Sequence, residues 1–350
     1  MEMRSGTEKR RRRESMEHTS ERLTGLSAQG ALAAISRNLE RTAVQEASAV
    51  EKRFAHIKEK ASLLARRMLR EAGCSDLLEA VLTTDEAVRL YRESVSEAVK
   101  TPLFGNVNHA EEPFFFRQGK RFDRLYLCKC IAEAAGTHDL KSMIPLVLGG
   151  LSELPYGREK RVAFLRNRQA SRAFERFAKY LGGVSAVYED NFQNACESVY
   201  TGEATYAVIP IASTSDGRLN SFYRLMEKYE LNIVLSCDVD SDDGESSTTF
   251  ALVYRDRVYI PTQGTPLLEC KITFERISDL ADLADAAEYF GATLESVEAL
   301  PLLFSGRAGA FDMIFGLSGA DCAGLFSYLA LEYPQAAAVG IYDRTERGPS

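Results

Sequence analysis

The spacing of apolar residues changes along the chain, and each change marks a different type of structure. Before about residue 155, apolar residues recur every three or four positions, which is the period of amphipathic helices. The residues on one face of the first long helical segment are Phe54, Ile57, Ala61, Leu64 and Met68. This pattern predicts an all-helical domain over residues 29–155. Residues 1–28 carry many charges and few apolar residues, and we expect a disordered basic tail there.

After residue 156 short runs of β-branched and aromatic residues alternate with helical segments. The predicted strands are RVAFL (161–165), VSAVYE (184–189), TYAVIPIA (205–212), LNIVLSCDV (231–239) and TTFALVYR (248–255). Strands that alternate with helical segments are typical of a sheet with crossover helices. The pattern therefore predicts an α/β lobe over residues 156–260.

From Leu267 the order of elements becomes strand, helix, strand, strand, helix, strand. This βαββαβ order is that of a ferredoxin-like sandwich, with one antiparallel sheet and two helices. We place this third domain at residues 265–345. The predicted fold class is thus α/β and multi-domain, with an N-terminal all-α helical domain.

The composition limits which cellular compartment and which cofactors we expect. Apolar residues make up 45% of the chain, and no apolar run reaches the about 18 residues that a membrane span needs. Without such a run or a secretory signal, we expect a cytoplasmic protein with no membrane contact. The seven cysteines are an odd number and are scattered, which favours reduced thiols. Cys128 and Cys130 have no partners at zinc-site spacing, so we predict no metal and no cofactor.

Charge is unevenly distributed. Residues 1–60 hold 13 Lys and Arg against 9 Asp and Glu, whereas residues 236–350 hold 7 against 19. The acidic C-terminal part would repel phosphates and makes nucleic-acid binding unlikely, although the basic head could contact RNA or an acidic partner. All four histidines precede residue 140, which argues against a self-contained histidine-dependent hydrolase in the last 200 residues.

The segment YEDNFQNACESVYTGEATYAVIPIASTSDG resembles the first lobe of the prephenate dehydratase family. The matching residues are Phe192, Val199, Gly202, Ala204, Pro210, Ile211 and Gly217. In TTFALVY, Thr248 and Phe250 match the Thr-Arg-Phe strand of that family, and the βαββαβ unit is similar to its phenylalanine-binding ACT domain. The resemblance covers about residues 160–345. It implies a periplasmic-binding-protein-like lobe and a link to phenylalanine and other aromatic amino-acid biosynthesis.

The resemblance also implies roles for individual residues. Thr248 would be the catalytic hydroxyl of a lyase that converts prephenate to phenylpyruvate, water and CO2. The residues implied for substrate binding are Arg166, Arg168, Ser213, Thr214 and Gly217. The residues at effector-binding positions of the ACT-like unit are Ser278, Leu280 and Glu298.

Several positions depart from the family pattern. The glycine-rich first loop is replaced by Arg166–Ser171, the Glu of the second motif by Ala212, and the Arg of the third by Thr249. A threonine cannot replace the bidentate cation that an arginine provides. Only Val239–Ser247 separate two strands between which the family carries a whole second lobe. These departures predict impaired catalysis.

Three hypotheses follow. The first is a regulatory, metabolite-sensing homodimer that pairs through its ACT-like domain and binds a small aromatic acid or amino acid. The alternative is an active, divergent prephenate dehydratase with a chorismate mutase-like helical domain. The cations available to such a mutase are Arg53, Lys58, Lys60, Arg66, Arg67 and Arg70. In the third hypothesis the basic helical domain is the functional part and binds a partner.

Overall fold

A computed structural model describes residues 5–99, 114–136, 138–154, 160–242, 244–274, 276–300 and 309–345. The chain forms two compact units, Met1–Glu59 and Lys60–Ser350. The predicted boundary between residues 155 and 156 lies outside the described residues. The predicted division of Lys60–Ser350 into separate domains stays a prediction.

Helix α1 runs from Ser5 to Ala72, and this differs from the disorder that we expected for residues 1–28. The segment is rich in Glu, Lys and Arg, which have high helix propensity, so a low apolar content does not prevent a helix. The helix is followed by Gly73, whose φ of +68° is the left-handed conformation that commonly ends a helix.

Four more helices follow: α2 (Leu77–Thr83), α3 (Asp85–Val99), α4 (Phe114–Ala135) and α5 (Leu140–Leu148). The Asp76 carboxylate caps α2 by accepting the backbone N–H groups of Leu78 at 2.7 Å and Glu79 at 3.1 Å. The hydroxyl of Thr84, which precedes α3, accepts the N–H of Ala87 at 3.3 Å. Side-chain oxygens of Asp76 and Thr84 therefore mark the starts of α2 and α3.

The α/β half contains six strands and three helices. They are β1 (Lys160–Leu165), α6 (Arg168–Leu181), β2 (Val184–Glu189), α7 (Phe192–Thr201), β3 (Tyr206–Ser213), β4 (Gly217–Arg218), α8 (Asn220–Lys228), β5 (Asn232–Asp240) and β6 (Ser247–Tyr254). Strand β1 is parallel to β2 and β3, and β6 is antiparallel to both β3 and β5. Apolar residues face both sides: Phe164 packs with the α6 core, whereas its neighbour Ala163 packs with α7 and α8.

The C-terminal half has the βαββαβ order. Its elements are β7 (Thr265–Phe274), α9 (Ile277–Tyr289), β8 (Thr293–Leu300), β9 (Gly309–Gly316), α10 (Cys322–Glu332) and β10 (Ala337–Arg344). The strands lie in the order β10-β7-β9-β8, all neighbours being antiparallel. Helices α2–α5 pack against α10 and β10.

The two halves share one sheet. In the described part of the chain the full order is β2-β1-β3-β6-β5-β10-β7-β9-β8, with β4 paired to β3. The link is a short parallel pairing in which Asp343 lies opposite Leu235 and Arg344 opposite Ser236. The architecture is therefore a mixed α/β fold in which helix α8 and strand β4 lie where the two halves meet.

Candidate functional site

The implied substrate-binding residues meet at one edge of the sheet. Because β1 and β3 are parallel, their carboxyl ends reach the same edge, and β6 begins there. Ser213, the last residue of β3, lies opposite Thr248 on one side and Gly217 on the other. We call residues Ser213–Gly217 the strand-end turn. The structure thus brings Ser213, Thr214, Gly217 and Thr248 together.

The hydroxyl groups of the strand-end turn are engaged within it. Ser213 and Ser215 each donate a hydrogen bond to Asp216 Oδ2 at 2.9 Å, and Ser213 Oγ also accepts the N–H of Asp216. These hydroxyl donors hold the pKa of Asp216 below its ordinary value. Thr214 Oγ1 accepts the N–H of Ser247 at 3.0 Å. The turn therefore satisfies its own polar groups and carries a fixed negative charge.

Basic residues at this edge are paired with acidic residues that follow β5. The Arg168 guanidinium lies 2.8 Å from Asp242, and Arg172 lies 3.0 Å from the same carboxylate. Arg166 instead lies over the ring of Tyr188, 5.5 Å from its centroid. The Arg168–Asp242 pair is exposed, so it contributes little stability, but its opposite charges cancel locally.

Thr249 occupies the position where the resemblance implies an arginine. Its hydroxyl donates to Asp238 Oδ1 at 2.7 Å, across the β5–β6 pairing in which the two residues are opposite each other. The cation that could bind a substrate carboxylate is thus replaced by a hydroxyl that already donates a hydrogen bond to a carboxylate of the protein, that of Asp238. The connection from β5 to β6 is a short turn, with Asp240 opposite Ser247.

The implied effector residues are not brought together. Ser278 and Leu280 lie in the first turn of α9, which packs beside β7 and β8. Glu298 lies opposite Asp312 in the β8–β9 pairing, on the sheet face that meets β4. A Cβ at Gly217 would lie 3.7 Å from Glu298 Oε1, so Glu298 neighbours the strand-end turn. Alternation along β8 therefore separates Glu298 from the α9 residues.

A buried ionic cluster joins β4 to the C-terminal half, and we call it the junction cluster. The Arg218 guanidinium lies 2.6 Å from Asp312 Oδ2 and 3.5 Å from Glu269 Oε1. It also stacks on Tyr223 of α8, 3.3 Å from the ring centroid, while Tyr342 donates to Glu269 Oε2 at 2.8 Å. The Arg218 side chain is 6% exposed, and both carboxylates are fully buried.

Burial perturbs both carboxyl groups of the junction cluster. Burial, reinforced by the charge of Asp312, raises the pKa of Glu269 to about 7. Burial also raises the pKa of Asp312, but Arg218 opposes this rise. Groups with such perturbation often occur at functional sites, although structural ion pairs produce it too.

Sequence reasoning missed Arg218, Glu269 and Asp312. The available signal was a charged residue within a largely apolar strand: Glu269 lies beside Leu267, Leu268 and Cys270 in LLECKITF, and Asp312 lies within GAFDMIF. Alternation places Leu267, Glu269 and Lys271 on one face of β7. Which element covers that face depends on tertiary structure.

The cations proposed for a mutase lie mostly in solvent. The side chain of Arg67 is 47% exposed and contacts Glu71 and Glu93, and that of Arg70 is 76% exposed. Lys60, half-buried, donates to the carbonyl of Ser94 at 2.7 Å. Apart from Lys60, the cations in question are exposed residues of α1.

The described residues show neither a metal-binding cluster nor a helix suited to a membrane. No group of three or more His, Cys, Asp and Glu side chains in this part of the chain is arranged to hold a metal ion. None of the helices there combines the length and apolar character of a membrane span.

Comparisons with known proteins gave matches among solved structures. No protein-family model and no curated protein matches the chain. A prephenate dehydratase from Streptococcus mutans is 14% identical, with a TM-score of 0.43, covering 53% of this chain and 100% of its own. A prephenate dehydratase from Arthrobacter aurescens in complex with L-Phe is 15% identical, with a TM-score of 0.40, covering 54% and 92%. GqqA, described as a novel type of quorum quenching acylase, is 19% identical, with a TM-score of 0.42, covering 54% and 97%.

Proposed function

We propose that this chain is a prephenate dehydratase-like protein of aromatic amino-acid metabolism that has lost catalysis and binds a small metabolite as a regulatory protein. The proposal rests on the order of motifs from Phe192 to Phe250. The observation that carries it is the state of two implied cation positions at this end of the sheet: Arg168 is paired with Asp242, and Thr249 stands where the family pattern has an arginine.

Prephenate dehydration needs positive charge and a proton donor. The substrate carries two carboxylates, which require cations or backbone N–H groups, and its departing ring hydroxyl requires a proton. At this edge Arg168 and Arg172 share Asp242, and Thr249 donates to Asp238. Asp216 adds a further negative charge beside the hydroxyls. Of the two implied substrate-binding arginines, Arg168 is thus engaged by a carboxylate and Arg166 lies over the ring of Tyr188, so a dianion would meet less positive charge than the family pattern provides.

The geometry also limits the exclusion of water. Strands β5 and β6 are joined by the short turn from Asp240 to Ser247, so the chain adds no second lobe at that point. Electrostatic stabilisation of a developing charge is strongest in a site closed to water. The edge is better suited to reversible binding than to rate acceleration.

The C-terminal half offers a surface for self-association. Strand β8 lies at the end of the described sheet, and its residues alternate between exposed and half-buried. The exposed edge of such a strand can pair with the same strand of a second copy. We propose a homodimer formed through β8 that binds a small aromatic acid or amino acid. All seven cysteines are free thiols, which is consistent with a cytoplasmic location.

One observation favours the alternative of an active enzyme. Ser213 and Thr248 lie directly opposite each other at the strand end, so two hydroxyl groups are adjacent where the family binds its substrate. In that case Thr248 would donate the proton to the leaving hydroxyl.

Phenylpyruvate formation from prephenate distinguishes the two proposals. We expect the purified full-length chain to show no turnover above the uncatalysed rate. Turnover that is lost in Thr248→Ala, but kept in the strand variant Thr265→Ala, would refute the non-catalytic proposal. Thermal shift with phenylalanine, tyrosine, tryptophan and phenylpyruvate then tests binding. A protein with no turnover and no shift with any of these four would contradict the metabolite-sensing role.

A further inference from the structure

The strand-end turn leads directly into the junction cluster. After Ser213 the chain turns back at Gly217, whose φ is +65°, and β4 pairs Arg218 with Ala212. The N–H of Leu219 donates to the carbonyl of Ile211 at 2.9 Å and closes this hairpin. The hairpin is thus held by a few backbone bonds to β3 and by the Arg218 side chain, which reaches β7 and β9.

The charges around Arg218 do not balance when all groups are ionised. One guanidinium faces the carboxylates of Glu269 and Asp312, which gives a net charge of −1 in a buried region. On α8, Tyr223 is neutral and Glu227 is paired with Lys271 of β7 at 2.5 Å. On β10, Tyr342 donates a neutral hydrogen bond, and on β8, Glu298 adds a further carboxylate opposite Asp312. Lys271 of β7 lies opposite Asp312 and opposes the rise that burial causes in its pKa, but Lys271 is also paired with Glu227, so the described groups around Arg218 still carry excess negative charge.

The polar atoms of the cluster are also incompletely hydrogen-bonded. Among the described residues, Glu269 Oε1, Arg218 Nε and both carboxylate oxygens of Asp312 have no hydrogen-bond partner, although Asp312 Oδ2 lies 2.6 Å from the Arg218 guanidinium. A buried charge without its hydrogen bonds is costly, and a carboxyl in that situation takes up a proton. A proton on Glu269 would remove the excess charge and provide a donor.

We propose that Arg218, Glu269 and Asp312 form a proton-dependent latch, which holds the Gly217–Arg218 hairpin closed when the acid pair carries one proton and loosens it when that proton is lost. This inference goes beyond the proposed function, because it requires neither catalysis nor a bound metabolite. It assigns the buried cluster a regulatory role at the exit of the strand-end turn.

The pKa directions fit this latch. Burial and the charge of Asp312 raise the pKa of Glu269 to about 7, and a hydrogen bond from protonated Glu269 to Asp312 contributes to the same rise. In an opened hairpin the Glu269 carboxyl would return towards its ordinary pKa of about 4.3. The closed form therefore binds more protons between these two values. Its stability is greatest at the acidic end, falls as pH rises towards about 7, and is level above that.

Hydrogen exchange of the Leu219 amide in the full chain tests the latch. After correction for intrinsic exchange, we expect its opening constant to rise at least tenfold between about pH 5 and about pH 7.5. In Glu269→Gln the rise should disappear, because the amide stays neutral. In Asp312→Asn it should also shrink, because Glu269 then becomes the counterion of Arg218 and stays ionised. The exposed helix variant Glu175→Gln is the matched control and should behave like the wild type.

A rise below twofold in the wild type, or an equal rise in Glu269→Gln, would overturn the proposal. Infrared difference spectroscopy of the wild type provides a measurement that needs no variant. A buried protonated carboxyl should be visible at about pH 6 and lost by about pH 8.5. Its absence at the lower pH would also rule out the latch.

Discussion

Replacement of Arg218 by methionine tests the energetic role of the junction cluster. Methionine keeps the apolar stem over Tyr223 but removes the charge that faces Glu269 and Asp312. Removal of one partner from a buried ion pair costs about 3–5 kcal/mol, because the other partner stays buried and uncompensated. Here two fully buried carboxylates lose their cation, and we expect a loss in this range at about pH 7.5.

The loss should depend on pH in a defined direction. The pKa values of both carboxyl groups are already raised by burial, and without Arg218 they would rise further. At about pH 5 both groups would then be protonated and neutral, so the stability deficit of Arg218→Met should become smaller. In a triple variant with Arg218→Met, Glu269→Gln and Asp312→Asn, these three positions carry no charge at any pH. This variant should recover at least half of the stability that Arg218→Met loses.

Urea unfolding followed by near-ultraviolet circular dichroism measures these free energies, since the chain has tyrosines but no tryptophan. Arg224→Met on the exposed side of α8 is the control and should change stability by no more than about 0.5 kcal/mol. A loss below about 1 kcal/mol in Arg218→Met, or a triple variant no more stable than the single one, would refute the reasoning.

Two further predictions concern the Asp242 ion pairs and the edge strand β8. Asp242→Asn should strengthen prephenate binding by about two- to fivefold in titration calorimetry, because it frees Arg168 and Arg172 from a surface pair worth up to about 1 kcal/mol. The control Asp256→Asn, just beyond the other end of β6, should leave the affinity unchanged. Equal affinities in the wild type and both variants would contradict the charge argument. Light scattering at micromolar concentration should give twice the 38.8 kDa mass of the chain. Val297→Lys, on the exposed side of β8, should shift the measured mass towards that of the monomer. A monomeric wild type would exclude the dimer.

Local periodicity was sufficient to predict most of the elements. Strands β1, β2, β3, β5 and β6 and the βαββαβ order of the C-terminal half follow from apolar runs and turn residues, whereas the two-residue strand β4 was not predicted. The helical start at Ser5 was missed because low apolar content was taken as disorder, although the residues there are good helix formers. The short β5–β10 pairing, which joins the halves into one sheet, leaves no local pattern.

The site was predictable where residues are adjacent in sequence or follow a family motif. Ser213, Thr214 and Gly217 lie within five positions, and Thr248 meets them by strand pairing. The partners of Arg218 lie on β7 and β9, far along the chain. Their burial depends on α8 covering that face of the sheet. A charged residue in an apolar strand indicates that a partner is needed, but it does not identify the partner.

The strand-end turn and the junction cluster differ in their electrostatics. The proposed loss of catalysis and the proposed latch can therefore be tested by different measurements. At this end of the sheet, the charges of Asp216 and of the Arg168–Asp242 pair are exposed, so a single substitution changes affinity modestly and leaves the fold intact. In the cluster, charges are buried and unbalanced, so a proton or a substitution changes the stability of the hairpin itself. Turnover that depends on Thr248 would restore an enzymatic function without affecting the latch. An opening constant at Leu219 that does not change with pH would refute the latch. It would not change the conclusion on catalysis, which depends on the prephenate assay alone.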